Sequence, residues 1–418
     1  ILMLEYTLRG VNMKTIGIIA EFNPFHSGHK YLIEKAKKIT NANNAIIICS
    51  GNYVQRGTPA IFDKTLRAKA AILNGADVVF ELPVIYSTAS AETFARASVK
   101  FLDLLGCVDY LCFGIETDNI KALPTLAKIL TNEPEDYKNM LSMYLKNGFS
   151  YPKARSKALS DYCSENNILN SLQVSQIIDQ PNNILAIEYL KSLRVFNSKI
   201  KPLAIKRQGA GYNSNDLGRG FASASGIRNE IINNKPIENY IPDNCLNLYS
   251  DSEYLSTEDF SEILGYKLIT EKKFDKYYGI SKDLSNRINN YKSDFTGIAD
   301  FIKDLQSKNY TYAGISRALL HIILDIKTED VEEFIDDNYM KYGRLLAFNN
   351  RSSILSSIKE NSSIEIVSKF STYYNQAQGL TKKMLDIDLK ADNLYRMIYM
   401  TKYNKSIPDE FKRQIYIL

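Results

Sequence analysis

Thr15 to Ala20 and Ala45 to Ser50 are short, near-continuous apolar runs. Runs that do not alternate with polar positions predict strands buried on both faces. Between them, Ser27 to Lys38 has a different period. Tyr31, Leu32, Ala36 and Ile39 are apolar, whereas Lys30, Glu34, Lys35 and Lys37 are polar, which predicts an amphipathic helix. Asp63 to Asn74 predicts a second helix, with Asp63 as its N-cap and Gly75 just past its end. A strand over Asp77 to Glu81, a helix over Ser90 to Leu105 closed by Gly106, and a strand over Asp109 to Phe113 follow. Alternating strands and helices imply an α/β, Rossmann-like domain with a parallel sheet covered on both faces. Ligands of such sheets bind beyond the carboxyl ends of the strands, so chemistry is expected in residues 21–29, 51–57 and 114–116.

From Asn119 to Arg194 the pattern is mostly helical, with a polar loop around Asn147 to Tyr151. Ile200 to Ile205 predicts another strand and Ala222 to Ile232 another helix. Beyond Asn233, Pro236 and Pro242 bound an Asn/Asp-rich stretch, and the remainder to Leu418 reads as mainly α-helical. We therefore expect an α/β domain over residues 13–240 and a helical domain over 241–418. Met13-Lys14-Thr15 looks like a natural start, so residues 1–12 are expected to be a leader outside the fold.

Composition narrows the class. With 45% hydrophobic residues in 418, disordered and collagen-like chains are excluded. No apolar stretch reaches the roughly 18 residues of a membrane span, so no membrane partner is expected. The net charge of +5 does not by itself indicate nucleic acid. Cys49, Cys107, Cys112, Cys163 and Cys245 are odd in number and widely spaced, without a CxxC pair. They imply reduced thiols and a cytoplasmic protein rather than a disulfide framework. Too few Cys and His cluster for a structural zinc site, and no metal ligand set is expected.

Two of the three histidines stand in His26-Ser27-Gly28-His29, between the first strand and the first helix. A helix N-terminus offers free N–H groups and about half a positive charge, which suits phosphate. Gly28 lets a phosphate approach the backbone. Three residues apart, His26 and His29 share one face of the first turn and can both donate to phosphate oxygens. Such an arrangement suits in-line attack at the α-phosphate of ATP with pyrophosphate leaving. A second element, Ser223-Ala-Ser225-Gly-Ile-Arg228, places hydroxyls and an arginine on a predicted helix start, which suits β- and γ-phosphates.

These two elements resemble the nucleotidylyltransferase superfamily. The longer string Gly17-Ile-Ile-Ala-Glu-Phe-Asn-Pro-Phe-His26-Ser-Gly-His29 resembles one family within it, the tRNA(Met) cytidine acetate ligases. Ser50-Gly-Asn-Tyr-Val-Gln-Arg-Gly57, Asp63-Lys-x-x-Arg67-Ala, Phe113-Gly-Ile-Glu116, Pro181-Asn-Asn-Ile-Leu-Ala-Ile-Glu-Tyr-Leu190, Ile205-Lys-Arg207-x-Gly-Ala-Gly-Tyr212 and Tyr342-Gly-Arg-Leu-Leu-Ala-Phe-Asn349 match the same family. The resemblance implies that acetate attacks the α-phosphate of ATP, giving acetyl-adenylate and pyrophosphate. The N4 amine of the wobble cytidine of elongator tRNA(Met) then takes the acetyl group and AMP leaves; acetyl-CoA is not used. Mg2+ is expected with ATP. Two positions depart from the family pattern: Asn213 follows Tyr212 where a histidine is common, and Ser225 stands for a threonine.

The resemblance also implies roles. Ile19, Ala20, Glu21, Phe22, Asn23, Pro24, Phe25, His26, Ser27, Gly28, His29, Lys30, Tyr31 and Leu32 would wrap ATP, with Gly114, one or other of Asn182 and Asn183, Arg207, Ser223, Ser225 and Arg228 completing its site. His26 and His29 are the expected catalytic pair. Ser50, Gly51, Asn52, Gln55, Arg56, Lys64 and Arg67 form a loop and helix start that could hold acetate or guide cytidine. Asp63 either accepts a proton from the N4 amine or pairs with Arg67 one turn on. His321, in an apolar helix, reads as a core histidine. Lys282, Arg287, Lys308, Tyr310, Arg317 and Arg344 mix basic and aromatic character, as RNA phosphates and flipped bases require, although charged helix faces are commonly just solvated. Two other functions fit parts of the pattern: a small-molecule adenylyltransferase, for which the long second half is superfluous, and an RNA-binding protein with an inactive nucleotide site, for which both histidines and Arg228 are superfluous.

Overall fold

The computed structural model describes residues 13–207 and 222–418. The expected leader, residues 1–12, and the Tyr212–Asn213 departure lie outside the described residues. The first half runs β1 (Thr15–Ala20), α1 (Ser27–Thr40), β2 (Asn44–Ser50), a small hairpin of β3 (Tyr53–Val54) and β4 (Thr58–Pro59), α2 (Lys64–Leu73), β5 (Val78–Leu82), α3 (Val84–Ser87), α4 (Ala91–Leu104) and β6 (Tyr110–Ile115). Five helices follow: α5 (Ala122–Asn132), α6 (Glu135–Lys146), α7 (Tyr151–Glu165), α8 (Ser171–Ile178) and α9 (Pro181–Val195). Then come β7 (Lys201–Lys206) and α10 (Ala224–Ile232). The second half holds α11 (Asp243–Ser250), α12 (Ser261–Thr270), α13 (Lys282–Tyr291), α14 (Ile298–Leu305), α15 (Tyr312–Leu324) and α16 (Thr328–Asp336). It ends with β8 (Gly343–Phe348), α17 (Ile354–Asn361), β9 (Ile366–Val367), α18 (Phe370–Gln376), α19 (Gly379–Tyr403) and β10 (Tyr416–Ile417).

The sheet order is β10-β8-β5-β2-β1-β6-β7, with β9 beside β8. Strands β5, β2, β1, β6 and β7 are parallel, as the alternating pattern predicts. Ile18 pairs with Ile47 on one side and Cys112 on the other, so strand order reverses at β1. The two faces are buried separately: Ile46 and Ile48 join one core, Ile47 and Cys49 the other. Each fully buried isoleucine contributes about 1.5–3 kcal/mol, which explains the unbroken apolar run.

One feature differs from expectation. The mainly helical remainder also supplies three strands, and β8 pairs antiparallel with β5. The sheet is therefore mixed, and it is shared between the two expected parts. Gly343–Phe348 is buried along nearly its whole length, so its sequence lacks the alternation that marks a half-exposed strand. Among the described residues, no helix is long and apolar enough to cross a membrane.

Candidate functional site

A cavity of about 820 Å³ opens at the carboxyl ends of β1, β6 and β7, where strand order reverses. Its polar wall is the loop after β1. Phe22 and Phe25 are buried there and pack edge-on or tilted against the His29 ring. Phe22 takes a left-handed backbone, φ 49°, a conformation disfavoured for a bulky side chain and retained here by its aromatic packing. Asn23 is buried and its Oδ1 accepts from the Ile61 N–H at 2.8 Å.

His26 is the N-cap of α1. Its Nδ1 accepts from the Gly28 N–H at 3.0 Å, while the His29 Nδ1 accepts from the His26 N–H at 3.2 Å. The two rings stack with centroids 3.8 Å apart. Burial, aided by the positive charges of Arg207 and Arg228, lowers the His26 pKa to about 3. Burial, together with His26 and Arg207, also lowers that of His29. Both imidazoles are thus neutral at physiological pH. With each Nδ1 accepting from backbone, each proton sits on Nε2. The pair is a fixed set of two Nε2–H donors lining the cavity.

The second element faces the first. Ser223 caps α10 through the Gly226 N–H, and Ser225 Oγ accepts from Arg228 at 3.0 Å and from Arg56 at 3.3 Å. Arg228 also donates to the Asn23 carbonyl at 2.7 Å. Burial and the nearby Arg56 charge, opposed by Glu21, bring the Arg228 guanidinium down to about 10, which leaves it charged. Arg207 and Gly114 line the same cavity; a Cβ on Gly114 would sit 3.1 Å from Arg207 Cγ. Of the two asparagines, Asn182 lines the cavity and bonds Glu116. Asn183 is fully buried, accepting at Oδ1 from the Glu116 and Thr117 N–H groups.

Several expectations need correction. Of the acetate/cytidine group, only Gln55 and Arg56 line the cavity. Arg67 is fully buried and donates to the carbonyls of Phe62, Glu21, Ser50 and Gly51. It staples loops to one another and has no face toward a ligand. Ser50 and Gly51 are buried beneath it, and a Cβ on Gly51 would lie 2.3 Å from Glu81 Oε1. Asn52 is spent on Lys64 N–H and on Asp392. Lys64 is fully buried among Glu81 at 2.8 Å, Glu410 at 3.1 Å and Asp392. Asp63 does not line the cavity. It caps α2 through Thr65 and pairs with Arg413 at 2.7 Å rather than with Arg67. Burial would raise its pKa, but Arg413 outweighs burial and holds it well below the usual carboxylate range.

The RNA group separates as well. Lys282 and Lys308 are exposed. Arg287 donates to the carbonyls of Asp304, Leu305 and Gln306 at the end of α14, and Tyr310 bonds Ser281 and Asp283. Arg344 is buried opposite Glu81 on β8, 3.6 Å from Glu410, and is inaccessible to RNA. Arg317 lines the same cavity as His26 and His29. His321 bonds the carbonyls of Tyr278 and Thr88 inside the core. Sequence reasoning also missed the far wall, where α7 and α9 bring Tyr151, Arg155, Glu188 and Tyr189 to the cavity. Glu188 was visible only inside a family motif, with nothing local to mark it as lining a site.

A switch-point cavity with paired imidazoles at a helix start defines a nucleotidyl transferase, and residues 13–410 match the HIGH Nucleotidyl Transferase family. The tRNA(Met) cytidine acetate ligase of Thermoanaerobacter sp. (strain X514) is 39% identical over 397 residues, covering 93% of this chain and 96% of that protein. That of Acetivibrio thermocellus is 36% identical over 423 residues, covering 97% and 100%. The crystal structure of apo Thermotoga maritima TmcAL superposes with a TM-score of 0.92 at 30% identity, covering 97% of this chain and all of that one. A second TmcAL structure, bound with alpha-thio ATP, superposes with a TM-score of 0.89 at 29% identity, with the same coverage. The chain belongs to the tRNA(Met) cytidine acetate ligase family and is a ligase.

Proposed function

We propose that this enzyme activates acetate with ATP and acetylates the N4 amine of the wobble cytidine of elongator tRNA(Met). The observation that carries the reading is the pair of neutral, backbone-oriented imidazoles at the start of α1. Two preset Nε2–H donors stabilise charge that develops on α-phosphate oxygens without reorganising. An acetate oxygen attacks the α-phosphorus, the bond to the bridging oxygen breaks, and pyrophosphate leaves along Ser223, Ser225 and Arg228. The N4 nitrogen then bonds to the acetyl carbon, the acyl–phosphate bond breaks, AMP departs and N4 loses a proton. Mg2+ accompanies ATP, and acetyl-CoA has no part. The alpha-thio ATP bound to the Thermotoga relative supports the nucleotide assignment. Within this reading residues 13–240 carry catalysis, 241–418 help hold the tRNA through groups such as Lys282 and Lys308, and the protein works in the cytoplasm.

The test is incubation with ATP, labelled acetate and a tRNA(Met) transcript, followed by nucleoside analysis. N4-acetylcytidine that requires both ATP and acetate supports the reading. Label drawn from acetyl-CoA, or AMP transferred to a small cofactor precursor instead, refutes it.

A further inference from the structure

Arg317 was grouped with RNA contacts by its sequence neighbourhood, yet it reaches the nucleotide cavity from α15. We propose that Arg317 binds the terminal phosphates of the nucleoside triphosphate, and pyrophosphate after its release, from the helical half of the molecule. The inference rests on the ATP reading above.

A line of cations carries the argument. It starts at the imidazoles, where Arg228 is tied to the Asn23 carbonyl of the same loop. Arg228 and Arg56 share Ser225 Oγ, so Arg56 is the next charge along. Gln55 precedes Arg56, and its carbonyl accepts from Arg317 at 3.4 Å. The α-phosphate belongs at the imidazoles and the middle of the chain at Ser225 and Arg228. The triphosphate end then points along this line toward Arg317. Among the described residues, that weak contact is the one hydrogen bond of the Arg317 guanidinium, and no carboxylate pairs with it. A half-buried guanidinium without a counter-ion is costly unless an anion completes it, and its planar fork suits phosphate. Burial accordingly pulls the Arg317 pKa down, with only Tyr278 opposing.

The mounting is rigid. Gly57 has φ 81°, and a Cβ there would lie 2.3 Å from the Arg317 backbone nitrogen. Ser316 Oγ donates to the Gly57 carbonyl at 2.9 Å. Loop 55–57 and α15 are thus locked together, so Arg317 holds a fixed place relative to Arg56. An RNA contact would instead favour an accessible, adjustable side chain.

The test compares Arg317→Gln and Arg317→Lys with the parent enzyme, with thermal melting to confirm folding. Calorimetric affinities for Mg-ATP and AMP, ATP–pyrophosphate exchange and tRNA binding are measured. Loss of a charged contact predicts roughly tenfold or weaker ATP binding in the Gln variant and a raised KM for pyrophosphate in exchange. AMP affinity, which lacks the terminal phosphates, stays within about twofold. Lys, keeping charge without the fork, falls between, and it also serves if the Gln variant does not fold. Unchanged ATP affinity, equal loss for AMP, or weakened tRNA binding with intact exchange each overturns the proposal. If the parent enzyme binds no ATP, the function above fails instead.

Discussion

Replacing Lys64 with methionine tests whether this residue is structural or holds a substrate anion. Its Nζ lies within 2.8 Å of Glu81 and 3.1 Å of Glu410 and touches Asp392, and its side chain is 1% exposed. Removing the ammonium takes away the cation that pairs with Glu81 and Asp392, while Glu410 keeps Arg413 at 2.6 Å and Arg344 at 3.6 Å; breaking a buried pair in this way costs about 3–5 kcal/mol. Burial, moderated by Lys64, already raises the Asp392 pKa to about 7. Without Lys64 that value rises further. A carboxyl whose folded pKa exceeds its unfolded value adds stability as pH falls. The variant therefore takes up a proton at higher pH than the parent. Between pH 9 and 7 its penalty should shrink by up to about 1.4 kcal/mol per unit, one proton's worth. Below pH 7 the parent takes up its own proton at Asp392, and the two stability curves run parallel. Urea denaturation at pH 9, 8, 7 and 6 measures this directly. A penalty under about 1 kcal/mol, or one independent of pH, would refute the reasoning. A raised KM for acetate in a variant of full stability would return Lys64 to ligand binding.

Three further outcomes are expected. The enzyme has three histidines, and burial lowers the pKa of His26 to about 3, of His321 to about 4, and of His29 below its ordinary value. Imidazole NMR should therefore show three neutral rings from pH 8 to 5. Below pH 6.5 the unfolded chain binds protons that the native state refuses, so His26 and His321 each withdraw about 2 kcal/mol of stability by pH 5; a His26 titration near 6.5 would contradict the tautomer argument. On the proposed mechanism His29→Ala removes one of the two donors to phosphate and should abolish acetyl-adenylate formation in a pyrophosphate-release assay, with tRNA affinity nearly intact; loss of both would contradict the separation of roles. Arg344→Gln removes the most distant of three cations around Glu410, which keeps Lys64 at 3.1 Å and Arg413 at 2.6 Å, and should lower stability by about 1–3 kcal/mol while leaving tRNA affinity unchanged in a filter-binding assay; weakened binding in a stably folded variant would restore it to the RNA surface.

The first half of the fold was legible because its signals are local. An unbroken apolar run such as Ile46–Ile48 has one physical use, a strand buried on both faces, and the helices that follow β1 and β2, α1 and α2, carry side-chain caps. The last strands were not legible for the same reason inverted. Gly343–Phe348 is as apolar as the surrounding helices, and its longest pairing is with β5, more than 260 residues earlier in the chain. That partner is non-local, and no periodicity records it.

The candidate site divides along the same line. His26, His29, Ser225 and Arg228 announce themselves because each acts through its own helix start, within a few residues of the backbone groups that orient it. Charge is different, because its meaning depends on its partner. Lys64, Arg67, Arg344 and Arg317 are all simply cations in the sequence. Three become structural only because carboxylates or carbonyls from distant segments close around them. The fourth faces the cavity with no carboxylate partner and a single long contact, to the Gln55 carbonyl at 3.4 Å, among the described residues. Carboxylates placed by α19 and the C-terminal segment thus decide which cations remain for the phosphates. The second half of the chain sets the electrostatics of a cavity whose motif lies in the first.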